Sequence, residues 1–105
     1  MTRKRTVAGV GPDAPTVTND RGASQSHIPY RCDLLDAKAI LDLAELLGQG
    51  AEKYGEEEWR KIDTPDHLNH AMTHILAYQA GDNQDDHLLH AFCRLMMAVA
   101  IEQSD

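Results

Sequence analysis

Residues 64–102 read TPDHLNHAMTHILAYQAGDNQDDHLLHAFCRLMMAVAIE, and this stretch decides the fold. Thr64-Pro65-Asp66 opens a helix: a capping residue, a proline whose fixed φ suits the first turn, then an acid that meets the positive end of the helix dipole. Leu68, Ala71, Met72, Ile75 and Leu76 follow at three- and four-residue steps, the period of one helical face. Gly81 stops that helix. Asp82 is expected to cap the next one, with Asp85 three residues on in the manner of a capping box. Leu88, Ala91, Phe92, Leu95, Val99 and Ile101 supply its apolar side. Two consecutive amphipathic helices on a short connection imply antiparallel neighbours.

Working outward, Ala37, Ile40, Leu41, Ala44, Leu47, Gly48 and Ala51 give the same period, in a pattern that begins at Asp33. The predicted helix ends near Tyr54, before Gly55. Gly48 and Gly50 each cost roughly 1 kcal/mol inside a helix. A close helix–helix approach would explain Gly48, and a break at 48–50 is the competing reading. No alternating strand pattern of useful length occurs. The fold class is all-α, a small bundle of about three amphipathic helices over residues 30–105. Residues 1–29, rich in Gly, Pro, Ser, Thr and charge, read as a flexible or irregular N-terminal arm. The stretch 21–26 within it is compatible with a folded loop.

With 105 residues the chain holds one domain. Three helices make a thin core, so completion by a homodimer or higher homo-oligomer is expected. No apolar run approaches the roughly 20 residues of a membrane span. The basic start MTRKR has no signal core behind it, which leads us to expect a cytoplasmic protein. Cys32 and Cys93 lack CxxC spacing and read as reduced thiols. The net charge is −7, and from Pro29 onward six basic residues face fifteen acids. Such a surface repels nucleic acid, and it admits a polyphosphate only alongside cations.

Three constellations stand out. His67-Leu-Asn-His70-Ala and His87-Leu-Leu-His90-Ala repeat the pattern HLxHA twenty residues apart. The i, i+3 spacing puts each pair on one helix face; His74 extends the first row and Arg94 the second. Histidine near its ordinary pKa suits proton transfer and metal ligation; equally, such rows serve as hydrogen-bonding positions between helices. On the first helix Asp42, Glu45, Gln49 and Glu52 form one stripe, and Asp85 and Asp86 add carboxylates at the start of the third. Oxygen donors on facing helices suit Mg²⁺ or Mn²⁺; a solvated acidic face is the plainer reading. Finally GAEKYGEEEW (50–59) holds the sole Trp beside Lys53 and Tyr54. Trp59 is a candidate stacking platform for a base or a plug for the loop, and Lys53, Arg60 and Lys61 are candidate phosphate partners. No GxxxxGK[ST], GxGxxG or GxSxG motif occurs, and His67-x-x-His70 is not an HExxH zinc motif.

GAEKYGEEEW (50–59), HLNHAMTH (67–74), DDHLLHAFCRL (85–95) and RGASQSHIPYRCDLL (21–35) together resemble the phage-type dATP/dGTP diphosphohydrolase N-terminal-domain family, over roughly residues 20–102. That family in turn resembles the all-α MazG-like nucleotide pyrophosphohydrolases, which hold Mg²⁺ on ExxE and ExxD pairs and work as oligomers. The resemblance implies metal-dependent hydrolysis of dATP or dGTP to monophosphate and pyrophosphate. Asp42-x-x-Glu45 stands where the first pair is expected; at the second this chain reads His87-x-x-His90, with Asp86 just before. Glu58 stands where the family usually has Asn. On this footing Glu45, Asp86 and His90 are expected as catalytic residues, and Glu45, Asp86, His87 and His90 as ligands of Mg²⁺ or Mn²⁺. Lys53, Tyr54, Trp59, His70, His74 and Arg94 are expected to bind substrate. A non-catalytic nucleotide-binding module and a histidine-rich structural zinc site remain as rival readings.

Overall fold

The computed structural model describes residues 6–104. They divide into two units, one up to Asp36 and one from Ala37 onward. The second is all-helical: α1 (Ala37–Tyr54), α2 (Thr64–Gln79) and α3 (His87–Glu102). Within it α2 and α3 share the most extensive packing, and α1 leans on α3.

The first unit departs from the expected irregular arm. Thr16–Thr18 (β1) and Ser24–Ser26 (β2) form an antiparallel hairpin, with Thr16 opposite Ser26 and Thr18 opposite Ser24. The turn explains it. Gly22 N–H donates to the Asn19 carbonyl at 3.0 Å, and Gly22 takes a left-handed φ of 82°. The Asn19 side-chain oxygen accepts from the backbone N–H groups of Arg21 and Ala23. Asn and Gly thus build the turn locally, and three-residue strands are too short to announce themselves by alternation.

The helix boundaries differ from expectation at their starts. Cys32–Leu34 form one 3-10 turn, Leu35 is extended, and α1 begins only at Ala37. The N-cap of α2 is Asp63, so Thr64 lies inside the helix, and its hydroxyl instead donates to Glu102 at 2.7 Å. The N-cap of α3 is Asp86, whose carboxylate accepts from Leu89 N–H, in place of the expected Asp82. The stops are as read: Gly55 and Gly81 both take left-handed φ, at 105° and 88°. α1 runs unbroken through Gly48 and Gly50, and a Cβ at either would meet nothing within 4 Å. Neither a break nor a close approach among the described residues explains them.

The core is narrow. Its buried apolar residues are Leu43, Ala71, Ala91, Cys93 and Ala98, and its largest fully buried side chain is His67. On α1 the buried residue is Leu43, outside the predicted stripe, while Leu41 on that stripe is 66% exposed. The rows Leu68–Met72–Leu76 of α2 and Leu88–Leu95–Val99 of α3 are also exposed. The helical period was right, but the face turned inward in the single chain is the one carrying the small residues. No helix among the described residues is long and apolar enough to cross a membrane.

Candidate functional site

The acidic stripe of α1 meets the start of α3 across a cleft of about 320 Å³, lined by Asp42, Glu45, Gln49, Asp85, Asp86 and His90. Helical geometry delivers these groups. Asp42, Glu45 and Gln49 lie three and four residues apart on one face, and the cap at Asp86 fixes where α3 begins. Asp42 pairs with Lys38 one turn earlier. Gln49 Nε2 lies 3.5 Å from Glu45 Oε1. The Asp86 carboxylate is partly committed to capping, since Oδ1 accepts from Leu89 N–H at 3.3 Å. Glu45 makes no salt bridge among the described residues, with Lys38 acting on it only through space, and it stands exposed in the cleft wall.

His90 reaches the cleft from α3 and is held on two sides. Its Nε2 lies 3.1 Å from Asp85 Oδ1, and its ring stacks on His74 with centroids 4.9 Å apart. His74 in turn places Nδ1 at 2.9 Å from Nδ1 of His87. His87 Nε2 donates to Asp82 Oδ1 at 2.7 Å. The run Asp82–His87–His74–His90 therefore ties the α2–α3 junction to the cleft. Its charges are tuned accordingly. The hydrogen bond from His87, aided by two from Gln84, holds the Asp82 carboxyl down to about 2. Burial, then the neighbouring His90 and His87, push His74 below its ordinary value.

Three of the four expected metal-binding residues, Glu45, Asp86 and His90, line the cleft; His87 does not, and both its ring nitrogens are engaged elsewhere. Among the described residues no three His, Cys, Asp or Glu side chains stand close enough to hold an ion. The expected substrate-binding residues are dispersed. His74 is behind His90, and His70 is exposed on α2. Arg94 turns inward, with Nη1 at 3.2 Å from His67 Nδ1. Trp59 and Tyr54 line a separate cavity of about 460 Å³ against the C-terminal half of α1. Lys53 Nζ lies over the Tyr54 ring at 5.0 Å.

Residues 19–105 match the family described as dATP/dGTP diphosphohydrolase, N-terminal. The chain belongs to that family. No curated protein matches it, and no solved structure does. Within this member of the dATP/dGTP diphosphohydrolase N-terminal family, the match takes in both the acidic cleft and the Trp59 cavity. It also takes in the hairpin strand β2, which the arm-like composition had concealed.

The sequence placed His67 in a histidine row and Asp82 at a helix cap, but gave neither its structural role. His67 is wholly buried and joins three segments: its Nε2 donates to the Trp59 carbonyl at 3.0 Å, and Arg94 donates to its Nδ1. A signal did exist for Asp82, since it lies five residues before His87 across a glycine-led turn. That turn also satisfies the carboxylate, with Gln84 N–H at 3.1 Å.

Proposed function

We propose that the chain hydrolyses purine deoxynucleoside triphosphates to monophosphate and pyrophosphate at the acidic cleft between α1 and α3. The observation that carries the reading is the convergence of Glu45, Asp85, Asp86 and His90 on one cleft in a chain of this family. The donor set is rich in carboxylate and amide oxygen, the chemistry that Mg²⁺ and Mn²⁺ prefer. As placed, no three of these groups close on one point, so Glu45 and Asp86 would have to draw together to hold the ion. Bound there, it would supply positive charge to the phosphates and lower the pKa of a water molecule. His90, with Nε2 held by Asp85 and its ring stacked on His74, would take or give a proton at Nδ1. Lys53 adds a cation near the neighbouring cavity, where Trp59 and Tyr54 offer aromatic surface to the base. A second copy of the chain covers the exposed apolar rows of α2 and α3.

One observation favours a second reading, a nucleotide-binding module without turnover: Glu58, where the family usually has Asn, is drawn into an ion pair with Lys61 at 3.2 Å. Product chromatography separates the two. The purified chain is incubated with dATP, dGTP, dCTP or dTTP, in Mg²⁺, Mn²⁺ or EDTA. The expected outcome is dAMP or dGMP with pyrophosphate, dependent on metal, and a loss of about a hundredfold or more in Glu45→Ala. Absence of turnover in every metal, from protein with intact helical circular dichroism, would overturn the hydrolase reading.

A further inference from the structure

The second cavity, about 460 Å³, lies within the ~300–1,000 Å³ range of small-molecule pockets. Leu46, Leu47, Met97 and the rings of Tyr54 and Trp59 make its walls apolar. Gly48 and Gly50 also line it, and no packing among the described residues accounts for either glycine. A side chain at those positions would narrow the space a flat ligand needs.

Three carboxylates stand at its edge, and they are not equivalent. Glu57 pairs with Arg60 at 3.2 Å, and Glu58 with Lys61. Arg60 also lies over the Trp59 ring, 4.4 Å from its centroid. Glu56 has no ion pair or hydrogen bond to any described side chain, although it lines the cavity. The backbone fixes where it sits, because both its neighbours are left-handed: Gly55 at φ 105° and Glu57 at φ 56°. A left-handed glutamate costs about 1 kcal/mol, so this turn is held against local preference.

We propose that this cavity is the base site and that Glu56 makes it select guanine over adenine. The inference rests on the purine-nucleotide reading above. A carboxylate only accepts hydrogen bonds. The Watson–Crick edge of guanine offers N1–H and an N2–H side by side, a match for two carboxylate oxygens and a charge-assisted pair. Adenine presents a lone pair at N1, which a carboxylate repels. The aromatic wall binds either purine, so the discrimination belongs to the rim.

The test uses the sole tryptophan as the reporter. Trp59 emission of the full chain is followed during titration with dGMP, dIMP and dAMP, without metal. The expected order of affinity is dGMP, then dIMP, which lacks the N2 amine, then dAMP, with roughly tenfold or more between the first and last. Glu56→Gln is expected to erase or invert the preference, since an amide offers adenine a donor and an acceptor together. Glu57→Gln, altering the same turn, leaves the order unchanged. Equal quenching by dGMP and dAMP would overturn guanine selection. Absence of quenching by any of them, in protein that still hydrolyses triphosphates, would overturn the base site while leaving the hydrolase standing. Guanine-selective quenching in a protein without turnover supports the inference and sinks the hydrolase reading instead.

Discussion

His67 shows how much one side chain does in a core this small. The Trp59 carbonyl can only accept, so Nε2 carries the proton; the Arg94 guanidinium can only donate, so Nδ1 presents its lone pair. The tautomer is thereby fixed, and α2, α3 and the Trp59 loop are joined through one ring. Replacing His67 by Leu leaves a carbonyl and a guanidinium without partners. We expect a loss of about 2–3 kcal/mol in urea unfolding, with a red shift of Trp59 emission. His67→Gln, which can donate at one end and accept at the other, is expected to recover part of the loss. A His67→Leu protein as stable as the parent would show that the bridge carries no weight. The HLxHA repeat made the two histidine pairs visible, and the structure adds an asymmetry. The first histidine of each pair, His67 or His87, is buried, while His70 is exposed and His90 sits at a cleft. Spacing alone identifies a face. Which side of that face meets the neighbouring helix depends on packing that no local pattern encodes.

At the scale of elements, the junction between α2 and α3 concentrates the titrating groups. His74 is held below its ordinary value of 6.5 by burial and by His90 and His87. The unfolded chain therefore binds this proton more readily than the folded one. Stability is full above about 6.5 and declines as pH falls from there toward the lowered folded value. Asp82 has its folded pKa depressed from 3.8 to about 2, so the stability it contributes is present above 3.8 and is lost as pH falls toward 2. Two separate acid limbs are expected in a series of urea unfolding curves against pH. His74→Leu should flatten the upper one and Asp82→Asn the lower. An upper limb unchanged in His74→Leu would assign it to another group. The same junction illustrates what a sequence shows of an element. Gly81 marked the stop correctly because a left-handed residue there is a local requirement. The start was misplaced by four residues, from Asp82 to Asp86, because three aspartates compete and all make hydrogen bonds. Bonds from His87 and from the Gln84 backbone and side chain draw Asp82 away from capping.

For the helical unit as a whole, the decisive quantity is how little apolar bulk it covers. Of its buried hydrophobic residues only Leu43 is large, whereas Met72 is 55%, Leu76 62%, Leu88 52% and Val99 57% exposed. These residues recur at helical spacing on α2 and α3, so they form rows; scattered exposed leucines would need no explanation. At roughly 25 cal/mol for each Å² removed from water, covering such rows outweighs much of the cost of association. A second copy brings the same rows, and an isologous contact between them would be self-complementary. In such a pair the large residues left outside would form a second core beside the small ones that pack the single chain, and the apolar period read from the sequence would describe that shared face. The expected mass by sedimentation equilibrium is at least twice the 11.7 kDa of the chain. Leu95→Glu, on the exposed side of α3, should shift the protein toward the single-chain mass. The midpoint of thermal unfolding should rise with concentration in the parent, and the variant should lose that dependence. Leu95 lines neither cavity, so a fall in nucleotide turnover in that variant would tie the site to the assembly; full turnover at single-chain mass would show that each copy works alone. A parent protein at single-chain mass at every concentration, with helical circular dichroism intact, would refute the paired arrangement.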